Sequence, residues 1–272
     1  MTDREDLVGE PCHYGQGSIC DILIEQDRHG MPCFVLKRLK PECTGNTVYR
    51  RALAREASIL ALLDRPGLPH LVAADVDAEQ AWLRYRWRPG HSIAMYGRGA
   101  GVGLAHSVAR GLLGHVCYLH NEVRCVHGDI AASNVVLSCS PSSAKVSLLD
   151  FGNAWRLASP WRRRPQSAYR APEQAAGKTW SRPADIFQVG VVVHEVLAGA
   201  RPDTRSNTPP ETPIPVRWRQ WLSMMLDPVA ENRPDAQTAH DLVPNMRDHT
   251  HGPCVGHRPL NMAASGQMEA AG

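Results

Sequence analysis

The chain has 272 residues, 43% of them apolar and 21% charged, and a formal net charge of +3. That length allows one large or two small domains, and so slight a positive balance, with no basic stripe alternating with aromatics, argues against nucleic acid as a partner. The most apolar segment, Val189 to Ala200, is broken by His194 and Glu195, and no run approaches the roughly 18 residues of a membrane span, so no membrane insertion is expected.

Met1 to Gln26 has no basic start followed by an apolar stretch, so no signal peptide is expected. Cys12, Cys20, Cys33, Cys43, Cys117, Cys125, Cys139 and Cys254 form no CxxC pair. Thiols scattered through apolar runs read as small core residues in a reducing compartment, which predicts a cytoplasmic protein.

In chain order, "ICDILIEQ" and "MPCFVLKRL" predict two strands around the turn "QDRHG". "TVYRRALAREASILALL" places Leu53, Ile59-Leu60 and Leu63 at helical spacing and stops before Pro66-Gly67. "HLVAADVDAEQAWLRYRW" reads as a second hairpin. From about Ala100 the pattern turns helical, with Leu104, Val108, Leu112, Val116 and Leu119 on one face. Two short strands are expected near 135–138 and 145–149, then a buried helix from about Pro183 to Ala198. The Pro- and Thr-rich stretch 202–215 should be irregular, and "PVRWRQWLSMML" and "DAQTAHDLV" should be the last helices. The expected organisation is an N-terminal extension (1–12), a sheet-rich lobe (13–88), a helical lobe (89–246) and a disordered tail (247–272), with a ligand cleft between the lobes. The tail segment "HTHGPCVGH" carries His249, His251, Cys254 and His257, but at no recognised zinc spacing.

Several stretches carry chemistry. "YGQGSICDI" puts Gly15, Gln16 and Gly17 at the head of a hairpin, where glycines let backbone N–H groups approach phosphates; alone it is equally an ordinary turn. Lys37 ends the run "FVLK", where a lysine can hold phosphates as a point charge or simply snorkel from a strand edge. In "VHGDIAASNVVL", Asp129 can take the proton of an attacking hydroxyl. Asn134, with Asp150 of "LLDFGNA", offers the oxygen ligands that Mg²⁺ or Mn²⁺ prefers, although lone Asp and Asn at strand ends are more often turn formers.

Taken together, from about Tyr14 to Val243, these stretches resemble the protein kinases of the eukaryotic (Hanks) type. The resemblance implies a bilobal α+β fold, with a small antiparallel-sheet lobe carrying one helix and a mainly helical second lobe. It implies ATP and Mg²⁺ (or Mn²⁺) as cofactors and a protein Ser/Thr hydroxyl as acceptor. Lys37 would pair with Glu56 and hold the phosphates, with Asp129 as catalytic base and Asn134 and Asp150 as metal ligands. Ile22 and Val35 would cover the adenine, Val136 would also line the nucleotide site, Tyr85 would back it, and Arg86, Trp87 and Arg88 would form the hinge.

"HGD" also occurs in small-molecule phosphotransferases related to this family. The later set Ala171-Pro172-Glu173, Asp185, Gly190 and Arg233 resembles protein kinases specifically, implying a Glu173–Arg233 ion pair and a loop held by Asp185. The departures are Cys20 for the third glycine, Gly128 for the arginine that grips an activation-segment phosphate, Ala131 for a lysine, and Gln166 for the threonine that would join that lysine to Asp129. Arg162, Arg163 and Arg164 could replace the lost charge or form a solvated loop. These departures keep a second reading open, an ATP-binding pseudokinase scaffold.

Overall fold

The computed structural model describes residues 10–140, 143–157, 168–177, 181–202 and 214–245. Most of the stretch 202–215, the residues Arg162–Arg164 and Gln166, and the tail expected from 247 lie outside them.

Alternation of apolar and polar side chains builds the first sheet. Strands β1 (Cys12–Gln16), β2 (Cys20–Gln26), β3 (Pro32–Leu39), β4 (Leu71–Asp75) and β5 (Trp82–Arg86) form one antiparallel sheet in the order β1-β2-β3-β5-β4. The register pairs Cys20 with Leu39, Ile22 with Lys37, Ile24 with Val35, and Val35 in turn with Tyr85. Side chains directly opposite in an antiparallel ladder share a face, so all of these lie on one side of the sheet. On the other face Phe34 lies under Arg84, whose guanidinium is 4.1 Å from the ring centroid and pairs with Glu25.

Helix α1 (Thr47–Leu60) starts where Asn46 accepts from the N–H of Val48 at 2.9 Å, and it ends three residues short of the expected Leu63. Its buried stripe is Leu53, Glu56, Ile59 and Leu60. Glu56 therefore sits on the apolar face rather than the solvated one.

The second lobe begins with β6 (His91–Ser92), α2 (Ile93–Tyr96) and α3 (Val102–Tyr118), which runs on into a π-helical turn, Leu119–Val123. Then follow β7 (Cys125–Val126), β8 (Val135–Ser140), β9 (Ser143–Leu148) and β10 (Trp155–Arg156). Strands β6, β8 and β9 make a three-stranded sheet, and β7 pairs with β10. Gly111 of α3 lets that helix lie against β9, since a Cβ there would come within 2.6 Å of Val146 Cβ.

Helices α4 (Pro172–Ala175), α5 (Arg182–Ala198), α6 (Val216–Met225) and α7 (Ala236–Asp241) complete the lobe. Every residue of α5 from Ala184 to Leu197 is buried, so its apolar pattern runs all round instead of along one stripe. Burying each of its valines, Ile186 or Phe187 contributes about 1.5–3 kcal/mol, which makes α5 the spine of the lobe. Gly199 ends it in the left-handed conformation, at φ +77°. Trp221 of α6 donates to the carbonyl of Ala239 in α7 at 3.0 Å.

Six cysteines are free, and they divide more evenly than a core role requires. Cys20, Cys43 and Cys125 are buried, Cys33 and Cys117 are half-buried, and Cys12 is exposed on the edge strand β1. No helix among the described residues is long and apolar enough to cross a membrane.

Candidate active site

Lys37 is the centre of the site. Its Nζ lies 2.9 Å from Glu56 Oε1 on α1 and 3.0 Å from Asp150 Oδ1 in the segment after β9. The three come from a strand, a helix and a loop, 19 and 113 residues from the lysine. Burial alone would lower the Lys37 ammonium, but the carboxylates of Asp150 and Glu56 outweigh it and hold the group well above its usual value. Burial pushes Glu56 up against the pull of Lys37. Lys37 draws Asp150 down to about 2. The triad is thus ionised at neutral pH at its cation and at Asp150.

Asp150 takes a φ of +60°, in the left-handed region that a non-glycine residue adopts only under constraint. The constraints are visible. Its Oδ1 accepts from Lys37 and from the N–H of Gly152 at 3.1 Å, and Phe151 is fully buried with its ring edge-on to His127, centroids 4.7 Å apart. The second oxygen of Asp150 is left outside these bonds, on a side chain about half exposed.

Asn134 donates its Nδ2 to the carbonyl of Asp129 at 3.0 Å, which turns its own side-chain oxygen away from that bond. Its backbone carbonyl accepts from Leu149, the neighbour of Asp150, at 2.8 Å. The two side chains thus offer one amide oxygen and one carboxylate oxygen free of protein donors stronger than a 3.4 Å contact from Ser133. That donor set fits Mg²⁺, which takes one or two protein oxygens and completes its shell from phosphates and water. Among the described residues no cluster of three or more His, Cys, Asp and Glu could hold a metal by itself.

The loop around Asp129 is held from below. Asp185 of α5, fully buried, accepts from the N–H of His127 at 2.9 Å and of Gly128 at 2.7 Å, and lies 2.9 Å from His120 Nε2. Gln188, one turn on, accepts from Ile130 N–H at 2.8 Å and donates to the Gly128 carbonyl at 3.0 Å. Gly128 has a φ of +77°, which glycine adopts without strain. Lower down, Arg233 meets Glu173 in a two-pronged ion pair with both contacts at 2.8 Å, and its other donors reach the carbonyls of Asp227 and Pro183. A buried pair so completely satisfied offsets its desolvation.

The residues expected to face a nucleotide come from the first sheet, β8, the β1–β2 turn and the hinge. Ile22, Val35 and Lys37 share one face of the first sheet, with Tyr85 beside Val35. Val136 lies on β8, and a Cβ on Gly90 would come within 2.7 Å of its Cγ1, so the end of the hinge presses on Val136. Gly15 and Gly17 flank Gln16 at the β1–β2 turn, closed by a 2.8 Å bond from Gly17 N–H to the carbonyl of Cys20. Neither glycine has a positive φ, and a Cβ at Gly15 would touch nothing within 4 Å. The protein itself does not crowd this turn, which leaves its backbone open to a ligand. Cys20 turns inward beside Leu39 and is buried, and burial raises its thiol to about 11. At the hinge, two of the three N–H groups are spent inside the sheet: Arg86 donates to His70 at 3.1 Å and Trp87 to Cys33 at 2.9 Å. Of the three, Arg88 is the one whose N–H is not taken by such a bond among the described residues.

Three contacts lay outside the sequence reading. Gln188 braces the loop next to Asp185. Arg55 of α1 donates to the carbonyl of Gly152 at 3.0 Å and lies 4.7 Å over the ring of Trp155. Asn153 donates to Asp129 Oδ2 at 3.0 Å. Gln188, at helical i+3 from Asp185, had a spacing signal; the other two had none.

The profile of the protein kinase domain matches residues 12–248. The chain is 27% identical over 260 residues to "Probable serine/threonine-protein kinase PkwA" of Thermomonospora curvata, covering 87% of this chain and 33% of that one. It is 28% identical over 184 residues to the serine/threonine-protein kinase PknI of Mycobacterium tuberculosis (65% and 30% covered), and 29% identical over 194 residues to the tyrosine-protein kinase MasK of Myxococcus xanthus (64% and 29%). The chain therefore spans about a third of the length of these curated relatives. A match over most of the chain, on a two-lobed fold whose Lys37, Glu56 and Asp150 meet at one point, shows that the chain belongs to the protein kinase domain family.

Proposed function

We propose that this chain is an ATP- and Mg²⁺-dependent protein kinase that phosphorylates Ser/Thr hydroxyls through a loop lacking the usual arginine. Residues 13–88 and 89–246 are taken as its two lobes. The observation that carries the reading is Lys37 in simultaneous contact with Glu56 and Asp150, which sets a cation against the place the phosphates would occupy. When bound, Mg²⁺ neutralises charge on the transferred phosphoryl group; Asn134 and Asp150 are the residues that would hold it. Gly15, Gln16 and Gly17 approach the phosphates by backbone, Ile22, Val35 and Val136 enclose the adenine, and Arg88 N–H meets its edge. Asp129 orients the acceptor hydroxyl and takes its proton.

Ser/Thr preference is supported by two of these three relatives, PkwA and PknI, with MasK as the counterexample. The free cysteines, several of them reachable, suit a cytoplasmic setting. One observation favours the scaffold reading instead: position 131 is a buried alanine, so the loop carries no cation there.

The test is phosphoryl transfer from labelled ATP to generic protein substrates, with Asp129→Asn beside wild type in preparations shown to bind ATP. The kinase reading expects transfer to fall by roughly 10²–10⁴-fold in the variant while ATP binding persists. Equal background incorporation in both would leave the scaffold.

A further inference from the structure

Asp129 has to point one oxygen at an acceptor hydroxyl, and a carboxylate on a short side chain needs a partner to hold that aim. The loop does not supply one of the charged kind, because Ala131 is buried and carries no polar atom. What reaches the carboxylate is the side-chain amide of Asn153, with Nδ2 3.0 Å from Oδ2, across 24 residues of sequence.

Both ends of this bond are fixed. Asp129 is bounded on one side by its own N–H, which donates to His127 Nδ1 at 3.3 Å, and on the other by the Asn134 bond to its carbonyl. Asn153 sits between Gly152, gripped by Arg55, and Ala154, whose N–H donates to Phe151 at 2.9 Å. The following residues, Trp155 and Arg156, pair with Val126 and Cys125 just before His127. The amide is thus carried on a short braced segment facing the loop, and it occupies one carboxylate oxygen while leaving the other free.

We infer that Asn153 is a positioning residue that aims Asp129 in place of a loop cation. An amide differs from a lysine in one way that matters here: it orients the carboxylate through a hydrogen bond without placing a full positive charge beside it. The inference rests on the kinase reading above and refines the role of the same site.

The experiment compares wild type, Asp129→Asn, Asn153→Ala, Asn153→Asp, Ala131→Lys and the double variant Asn153→Ala/Ala131→Lys, measuring kcat and the KM for ATP. Asn153→Asp keeps the shape, removes the donor and sets a second carboxylate against Asp129, and it serves if the alanine variant folds poorly. Both single changes at 153 should lower kcat by about 10- to 100-fold, the usual scale for a hydrogen bond to a charged group, with KM for ATP unchanged. Lysine at 131 should raise kcat at least about fivefold more in the Asn153→Ala background than in wild type, since only there is Asp129 unheld. A residue that merely supports the fold would show no such coupling. The inference is overturned alone if Asp129→Asn collapses while both 153 variants stay within about twofold of wild type, or if Ala131→Lys acts equally in both backgrounds. Equal rates for wild type and Asp129→Asn would overturn the kinase reading and this inference with it.

Discussion

Arg55 of α1 holds the carbonyl of Gly152 at 3.0 Å, and the next residue of the helix, Glu56, pairs with Lys37. The same guanidinium covers Trp155 at 4.7 Å. Glu56 and its neighbour therefore grip the two sides of one junction: Glu56 takes the lysine, and Arg55 takes the segment that presents Asp150. Helix and segment are tied without any group that must first be modified.

Removing that tie should loosen the triad from outside it. Arg55→Ala is expected to lower kcat about tenfold, the cost of one charged hydrogen bond, while the protein stays folded. Steady-state kinetics beside a melting curve checks this. An unchanged kcat would show that Glu56 and Lys37 hold the helix unaided.

Phosphatase treatment is expected to leave activity nearly unchanged, because Gly128 offers no guanidinium to an activation-segment phosphate and the Arg55 tie needs none. Tyr169, one hydroxyl of that segment, already donates to Glu195 at 2.6 Å. A large fall in activity after dephosphorylation, restored by rephosphorylation of Ser159, Ser167 or Tyr169, would contradict the expectation.

Nucleotide and metal should be separable by thermal shift. ATP with Mg²⁺ is expected to raise Tm by mass action, by an amount equal to about 2.7 kcal/mol at a hundredfold excess over Kd. Asp150→Ala should lose the Mg²⁺-dependent part of that gain. Lys37→Ala should lose part of the shift given by ATP alone. If Mg²⁺ adds nothing in wild type, the roles given to Asn134 and Asp150 fail.

His115 predicts how stability varies with pH. It is buried on α3, its Nε2 3.0 Å from the carbonyl of Val146, which can only accept, so the neutral ring carries its proton on Nε2. Its Nδ1 is buried with no partner. Burial, aided by Arg65 and Arg88, lowers the ring to about 4. The unfolded chain, titrating near 6.5, then binds the extra proton first, so stability is complete above pH 6.5 and falls as pH drops toward 4. The loss from this group is at most about 3 kcal/mol. Urea denaturation at pH 7 and pH 4.5 should show a smaller difference for His115→Gln than for wild type.

Most strands and helices were legible in the sequence because each rests on local information, and Lys37, Asp129, Asn134 and Asp150 could be singled out as candidates for the same reason. Period-two and period-3.6 apolar patterns are properties of a few adjacent residues, and "VHGD", "ASN" and "LLDFG" each keep their chemistry within one short loop. Even so, the pattern put the end of α1 at Leu63 instead of Leu60, and it left β1, β6, β7, β10, α2 and α4 unseen, all but β1 being two- or four-residue elements with no period to detect. What the tertiary structure decided was which faces meet. Glu56 was expected to pair with Lys37 only through the family resemblance; the buried stripe of α1 is what turns it toward β3. Two hinge N–H groups proved to be spent on His70 and Cys33. Asn153 reaches Asp129 across 24 residues, Gln188 reaches Ile130 across 58, and Arg55 reaches Gly152 across 97. Such contacts follow from how two lobes and a buried helix pack in space; spacing along the chain put Gln188 on the face of Asp185 but named none of the three partners.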